Sequence, residues 1–426
     1  ATCPAVTCGT AKSGQIRARF YTLQPEQTGK ARTYSAFVQD TITWNRLSVN
    51  VGVLFNKDDF AQVTLAGVRV NFMSFGWSDE VQPRVGVAYN AELVKGDKFY
   101  GSYGRYYGLD QKSTSRSFAP FRIRQDEAYF DPATGAFLGQ NVRGSSAGKL
   151  IPQDLKPPYT DELVVGYAAP VTNVVSVELF GQYRQTRDIF EDVPINPDNY
   201  FGSFQAKNLP NARRRYRAIT LDVTKRLSSR WAADVSYTYS KLDGNFDLDY
   251  SGVDVFNTSS IIEDAPGINT AEPNRYGRLS QDRPHIFKIF GSYDTPIGVT
   301  VGGYFRLQSG AAWEARGQDG NGSYYRYLEA AGSRRLPTQA NFDLLGAYNF
   351  HLGGAVNLRA EARVLNVFNT QTPLTVDKVQ YFDPYKDGTP PSTLGPQGTS
   401  QPNASFGHYL TFAQGRRLVL TAIVEF

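Results

Sequence analysis

The chain has 426 residues, 45 basic against 40 acidic side chains, and a formal net charge of +5, a balance that gives no footprint for nucleic acid. Only 41% of it is hydrophobic and its mean hydropathy is negative. No apolar run reaches the roughly 20 residues that a membrane helix needs, which excludes a helical membrane protein.

Aromatics make up 13% of the chain, with 26 Tyr and 27 Phe beside 39 Gly, a composition that suits strands, tight turns and interfacial aromatic belts. The chain opens on Ala1 with no basic segment or apolar core after it, so it is expected to begin at a processing or truncation point. Cys3 and Cys8 are the only cysteines and are close enough to pair in a tiny loop. A disulfide there suits an oxidising envelope compartment; the alternative is a disordered tail with two idle thiols.

From there the sequence falls into strand pairs joined by very short turns. The turns are expected at 44–46, 92–97, 170–173, 227–230, 296–298 and 351–354. Long polar loops are expected at about 57–80, 111–158, 189–212, 244–282, 314–337 and 370–413. Short connections at one end and long ones at the other are the asymmetry of bacterial barrels, with turns in the periplasm and loops outside.

Within each strand the residues alternate. Val175, Val177, Leu179 and Tyr183 oppose Ser176, Glu178, Gln182 and Arg184; Trp231, Ala233, Val235, Tyr237 and Tyr239 oppose Asp234, Ser236, Thr238 and Ser240. Val299, Val301, Phe305 and Leu307 oppose Thr300, Tyr304, Arg306 and Gln308; Val356, Leu358, Ala360, Ala362 and Val364 oppose Asn357, Arg359, Glu361 and Arg363. The chain ends in the same way, with Leu418, Leu420, Ala422, Val424 and Phe426 on one face and Arg417, Thr421 and Glu425 on the other. A charge facing lipid costs about 2 to 4 kcal/mol at mid-bilayer, so the apolar rows are expected to face hydrocarbon and the charged rows a polar lumen.

The fold expected is all-β: a transmembrane antiparallel β-barrel with about fourteen strands in residues 1–426. A soluble array of β-sandwiches is the competing reading, and strands and loops this long fit it poorly.

Several segments carry a resemblance: AFVQDTITW with RLSVNVGV (36–53), QPRVGVAYN (82–90), KFYGSYGRYY (98–107), YTDELVVGY (159–167), DRPHIFKIFGSY (282–293), RVLNVFNTQTP (363–373) and the terminal strand. In order and spacing they resemble the carboxy-terminal barrel of TonB-dependent outer-membrane receptors, most closely the Oar-like group. That resemblance implies a 22-stranded barrel filled by an amino-terminal plug that engages TonB. No plug and no TonB-engaging segment is recognised here, so the chain is expected to be the carboxy-terminal part of a longer protein, meeting the TonB complex through a missing amino-terminal region. The implied location is the bacterial outer membrane.

Basic residues gather where descending strands begin. Arg213, Arg214, Arg215, Arg334, Arg335, Arg416 and Arg417 are candidates to face lipopolysaccharide phosphates, against ordinary solvation of the rim or attraction of anionic cargo. Asp243, Asn245, Asp247, Asp249 and Asp254 have spacing similar to a calcium loop, although Leu248 stands where the sharp turn wants Gly; a structural calcium is weighed against a solvated acidic loop, and no other cofactor is expected. Loop aromatics Trp313, Tyr324, Tyr325, Tyr327, Tyr381, Phe382 and Tyr385 are candidates for cargo contact, or for packing of loops over the mouth. Lumen residues Arg306, Arg359 and Glu361 are candidates too, and the resemblance implies that such residues, with Arg363, often hold the plug.

The histidines His285, His351 and His408 show no metal or catalytic spacing, and no GxSxG cue occurs, so no enzyme is expected. The expected function is TonB-dependent uptake of a scarce or bulky solute. A passive diffusion channel and a surface-binding or adhesive barrel are the alternatives. Besides lipid and lipopolysaccharide, the expected partner is the barrel-assembly machinery, reached through the terminal strand ending in Phe426.

Overall fold

The computed structural model describes residues 16–22, 28–63, 67–107, 124–131, 133–142, 149–194, 204–209, 211–246, 274–319, 325–354, 356–383 and 401–426. One sheet dominates them. Its strands are β1 (Thr28–Trp44), β2 (Leu47–Val63), β3 (Arg69–Tyr89), β4 (Lys98–Tyr107), β5 (Tyr159–Pro170), β6 (Val175–Arg187) and β7 (Arg214–Ser228). They continue as β8 (Trp231–Gly244), β9 (His285–Asp294), β10 (Val299–Gln308), β11 (Gln339–Gly353), β12 (Val356–Leu365) and β13 (Arg417–Glu425). Each pairs antiparallel with the next, and a two-residue strand, Gly277–Arg278, lies beside β8 to complete a 14-stranded sheet. Among the described residues β1 and β13 do not pair with each other.

The six expected short turns are all present, at one end of the sheet. A two-residue turn joins β7 to β8 through Ser229 and Arg230, whose φ values of 50° and 70° are both left-handed, the geometry of a twist-matched two-residue hairpin. Lys225 closes it from below, donating to the carbonyls of Ser228 and Trp231 and lying 3.8 Å from the Trp231 ring centroid.

In an antiparallel ladder, residues directly opposite share a face, so register carries a face assignment around the sheet. Leu420 stands opposite Ala362, which stands opposite Gly346, then Val301, Tyr293 and Trp231. The neighbouring row runs Thr421, Glu361, Ala347, Thr300 and Asp294. Sequence alternation thus becomes an apolar outer wall and a polar inner one. The separation is not complete: Phe37 and Leu54 face each other on the inner row, and Phe290 stands there between Asp234 and Tyr304. Val419 and Ile423 share the inner row with Arg363 and Arg359, and Asp40 interrupts the outer row of β1 between Val38 and Ile42, opposite Val51.

The distribution of burial confirms a membrane wall. Leu420, Val165 and Ile219 are 71%, 58% and 58% exposed, far more apolar surface than a water-soluble sheet displays. The buried apolar side chains sit instead at the long-loop end: Phe60, Met73 and Phe75 from β2 and β3 pack on Leu155, Phe190 and Ala206, and Ile189, Leu209, Ala212 and Phe246 form a second cluster.

The loop expected at 57–80 is corrected by the structure. β2 and β3 continue as one hairpin, pairing Asp58 with Phe75 and Val63 with Arg69 across register shifts near Asn56 and Phe60. Polar residues at 56–59 do not end a strand that has left the bilayer, because ladder hydrogen bonds persist in water and only the lipid-facing pattern is lost. The other long connections hold short strands, such as Phe190–Pro194 with Phe204–Asn208 and Arg316–Asp319 with Tyr325–Tyr327.

Candidate cargo site at the barrel mouth

The lumen wall is a polar network. Tyr100 donates to Glu178 at 2.5 Å, Gln182 to Glu162 at 2.9 Å, and Thr224 to Asp234 at 2.9 Å. Glu361, 8% exposed, accepts from both Arg359 and Arg363 at 2.8 Å. Two guanidiniums on one carboxylate leave one positive charge facing the lumen there.

Toward the long-loop end this wall hollows into a cavity of about 250 Å³. Arg306 and Gln308 of β10, Asn341 and Asp343 of β11, and Arg417 of β13 line it from the strands; Asn366, Thr372 and Gln414 line it from the connection above. That connection is stitched down: Asn366 donates its backbone N–H to Asp343 at 2.7 Å and its side-chain amide to the carbonyls of Thr370 and Gln414 at 3.0 and 2.8 Å. Arg306 donates to Gln308, and Asn341 donates to Asp343 at 2.9 Å. The cavity carries two cations, one carboxylate and several amides, the set that holds a polar, net-anionic group.

The other expected site residues divide among several places. Trp313 packs edge-on against Phe406 at 6.1 Å, and Arg334 lies over both rings, 5.0 and 5.4 Å from their centroids, while pairing with Glu329 at 2.7 Å. Tyr327 is 7% exposed, with Arg316 4.6 Å from its ring centroid and Arg275 at 5.4 Å. These aromatics fasten loops to one another. Tyr381 lies on the short strand Val379–Asp383 and is 36% exposed. Tyr325 and Phe382 lie on strands whose side chains there are not described, and Tyr324 and Tyr385 lie outside the described residues.

Arg335 donates to Asp282 at 2.6 Å and to the Gly310 carbonyl at 3.0 Å, tying two connections together. Arg214 reaches Gln281 at 2.9 Å, and the backbones of Arg213 and Arg416 are held by Asn245 and Asn369, both at 2.8 Å. Arg417 shares the inner row with Leu365 and faces the cavity with Arg306.

Asp243 is nearly fully buried and meets Arg215 at 3.3 Å, Lys241 at 3.2 Å and also Arg217. Burial would raise its carboxyl, but Lys241, Arg217 and Tyr276 together hold it below the usual carboxylate range. Asn245 spends its amide on Arg213 and Asn211. A calcium ion would have to displace these partners, and Asp247, Asp249 and Asp254 lie outside the described residues, as do Cys3 and Cys8. Among the described residues no group of three or more His, Cys, Asp or Glu could hold a metal.

The cavity was not legible as a unit in the sequence. Arg306, Gln308 and Arg417 stand out by alternation, but Asn341 and Asp343 join them only through register, and Asn366, Thr372 and Gln414 only through the folding back of the last long connection.

An up-and-down antiparallel sheet with an apolar outer wall, a polar lumen and packed loops over one end defines an outer-membrane receptor barrel. The family model described as TonB-dependent receptor-like, β-barrel, matches residues 10–369, so the chain belongs to that family, a family of receptors rather than enzymes, and it resides in the bacterial outer membrane. It is 24% identical over 417 residues to the TonB-dependent transporter Oar of Myxococcus xanthus, covering 84% of this chain and 38% of that protein. The fold is similar to the outer-membrane transporter YddB of Escherichia coli, with a TM-score of 0.57 at 13% identity over 94% of this chain and 55% of that one. It is also similar to the ferripyoverdine receptor of Pseudomonas aeruginosa bound to ferripyoverdine, with a TM-score of 0.51 at 12% identity over 92% and 38%. The chain therefore spans well under half the length of its curated relative.

Proposed function

We propose that the chain is the carboxy-terminal part of the barrel of a TonB-dependent outer-membrane transporter that captures a polar, net-anionic cargo at its mouth. The observation that supports this is the cavity beneath the last long connection, where Arg306 and Arg417 face the lumen beside Asp343. A bound solute displaces little structure there: its anionic group takes the two guanidiniums and its hydroxyl or amide groups take Gln308 and Asn341. Release inward then needs a change at the wall, which an energised plug supplies.

The test compares solute depletion from the medium by cells carrying the full-length protein, cells lacking it, and cells carrying Arg306→Ala/Arg417→Ala. The double variant should lose uptake about tenfold or more, as expected for two charge-assisted contacts, while still reaching the outer membrane. Unchanged uptake in cells lacking TonB would instead make the barrel a passive channel.

A further inference from the structure

The outer wall carries a second recess that the cargo path does not use. It lies on β5, β6, β7 and β8 and has a volume of about 470 Å³. Register sorts its lining into two rows. The lower row runs Val165, Gly181, Ile219 and Tyr239, and the row above it Leu163, Tyr183, Arg217 and Lys241. Gly181 is the gap in an otherwise bulky lower row, and nothing in the backbone demands a glycine there: an added Cβ would meet nothing closer than 3.8 Å. The missing side chain makes the notch.

Height follows from strand geometry. Tyr239 stands eight residues above Trp231 at the short-turn end, about 20 Å along the membrane normal at roughly 3.3 Å per residue and 40° tilt. The notch therefore opens toward lipid in the outer leaflet, and Arg217 and Lys241 stand at its upper boundary. Both pair with Asp243, as does Arg215 one row higher, and Asp243 is also held by Tyr276 at 3.1 Å. Three cations share one carboxylate, leaving an excess of two positive charges on side chains that are 47%, 49% and 30% exposed.

We propose that this recess binds lipopolysaccharide, with one acyl chain in the Gly181 notch and a phosphate on Arg217 and Lys241. A phosphomonoester carries about −1.5 to −2 charge at neutral pH, which matches the excess, whereas a zwitterionic phospholipid offers no net charge to match it. Asp243 holds the cations apart from each other and aimed over the notch, so little ordering is left to be done on binding. The proposal rests on the outer-membrane placement and on no particular cargo.

The test purifies the full-length protein in mild detergent from outer membranes and counts retained lipopolysaccharide and phosphatidylethanolamine by native mass spectrometry. Gly181→Leu fills the notch and Arg217→Gln/Lys241→Gln removes the cations. Each should retain about tenfold less lipopolysaccharide, with phosphatidylethanolamine unchanged and heat-modifiable migration intact. Unchanged lipopolysaccharide in either folded variant, or equal loss of both lipids, overturns the proposal. Solute uptake is read separately, so failure here leaves the transporter reading standing.

Discussion

Asp282 is a decisive single residue. Fully buried, it accepts from the Leu242 backbone at 2.7 Å, from Arg278 at 3.1 Å and from Arg335 at 2.6 Å. Asp282→Ala should weaken the loop packing by about 1.5 to 3 kcal/mol, the range for hydrogen bonds to a charged group, and expose 309–338 to limited proteolysis.

At the scale of elements, the strands are independent of one another in sequence and coupled only by register. The β7–β8 hairpin shows how locally that coupling is set. Ser229 and Arg230 both hold left-handed φ, a conformation for which Asn and Gly are better suited. Ser229→Asn with Arg230→Gly should therefore speed refolding into detergent or leave it unchanged, whereas Pro at 229 should abolish the hairpin, as judged by loss of heat-modifiable migration. The hairpin from β2 to β3 behaves differently. Above the bilayer its lumen side buries Phe60 and Phe75, which meet edge to face at 6.5 Å, against Leu155, Phe190 and Ala206, residues distant in sequence. Reading 57–80 as a loop failed because the alternation there answers to a neighbouring loop and to water, no longer to lipid.

For the whole molecule, the governing fact is that the sheet has two free edges among the described residues, along β1 and β13. In hydrocarbon an unpaired edge leaves several kcal/mol of unmet hydrogen bonding for each exposed polar group, so we propose that further strands of the full-length protein cover both edges. The chain expressed by itself should fail to give the heat-modifiable, compact band that the full-length protein gives on a gel. Asp40, on the outer row of β1, belongs to the same region, where a covering strand would change its surroundings.

The outer and inner walls, the short turns and the end at which loops gather were all legible from the chain alone, because membrane strands alternate under one strong constraint, lipid on every second side chain. The cavity around Arg306, the loop-to-loop stacking of Trp313 and Arg334, and the convergence of Arg215, Arg217 and Lys241 on Asp243 were not. Those contacts join residues on different strands or on loops distant in sequence, and their partners are chosen by register and by the folding back of long connections, which no local period records. The wall follows from a repeating solvent boundary, and the sites follow from which strands that boundary brings side by side.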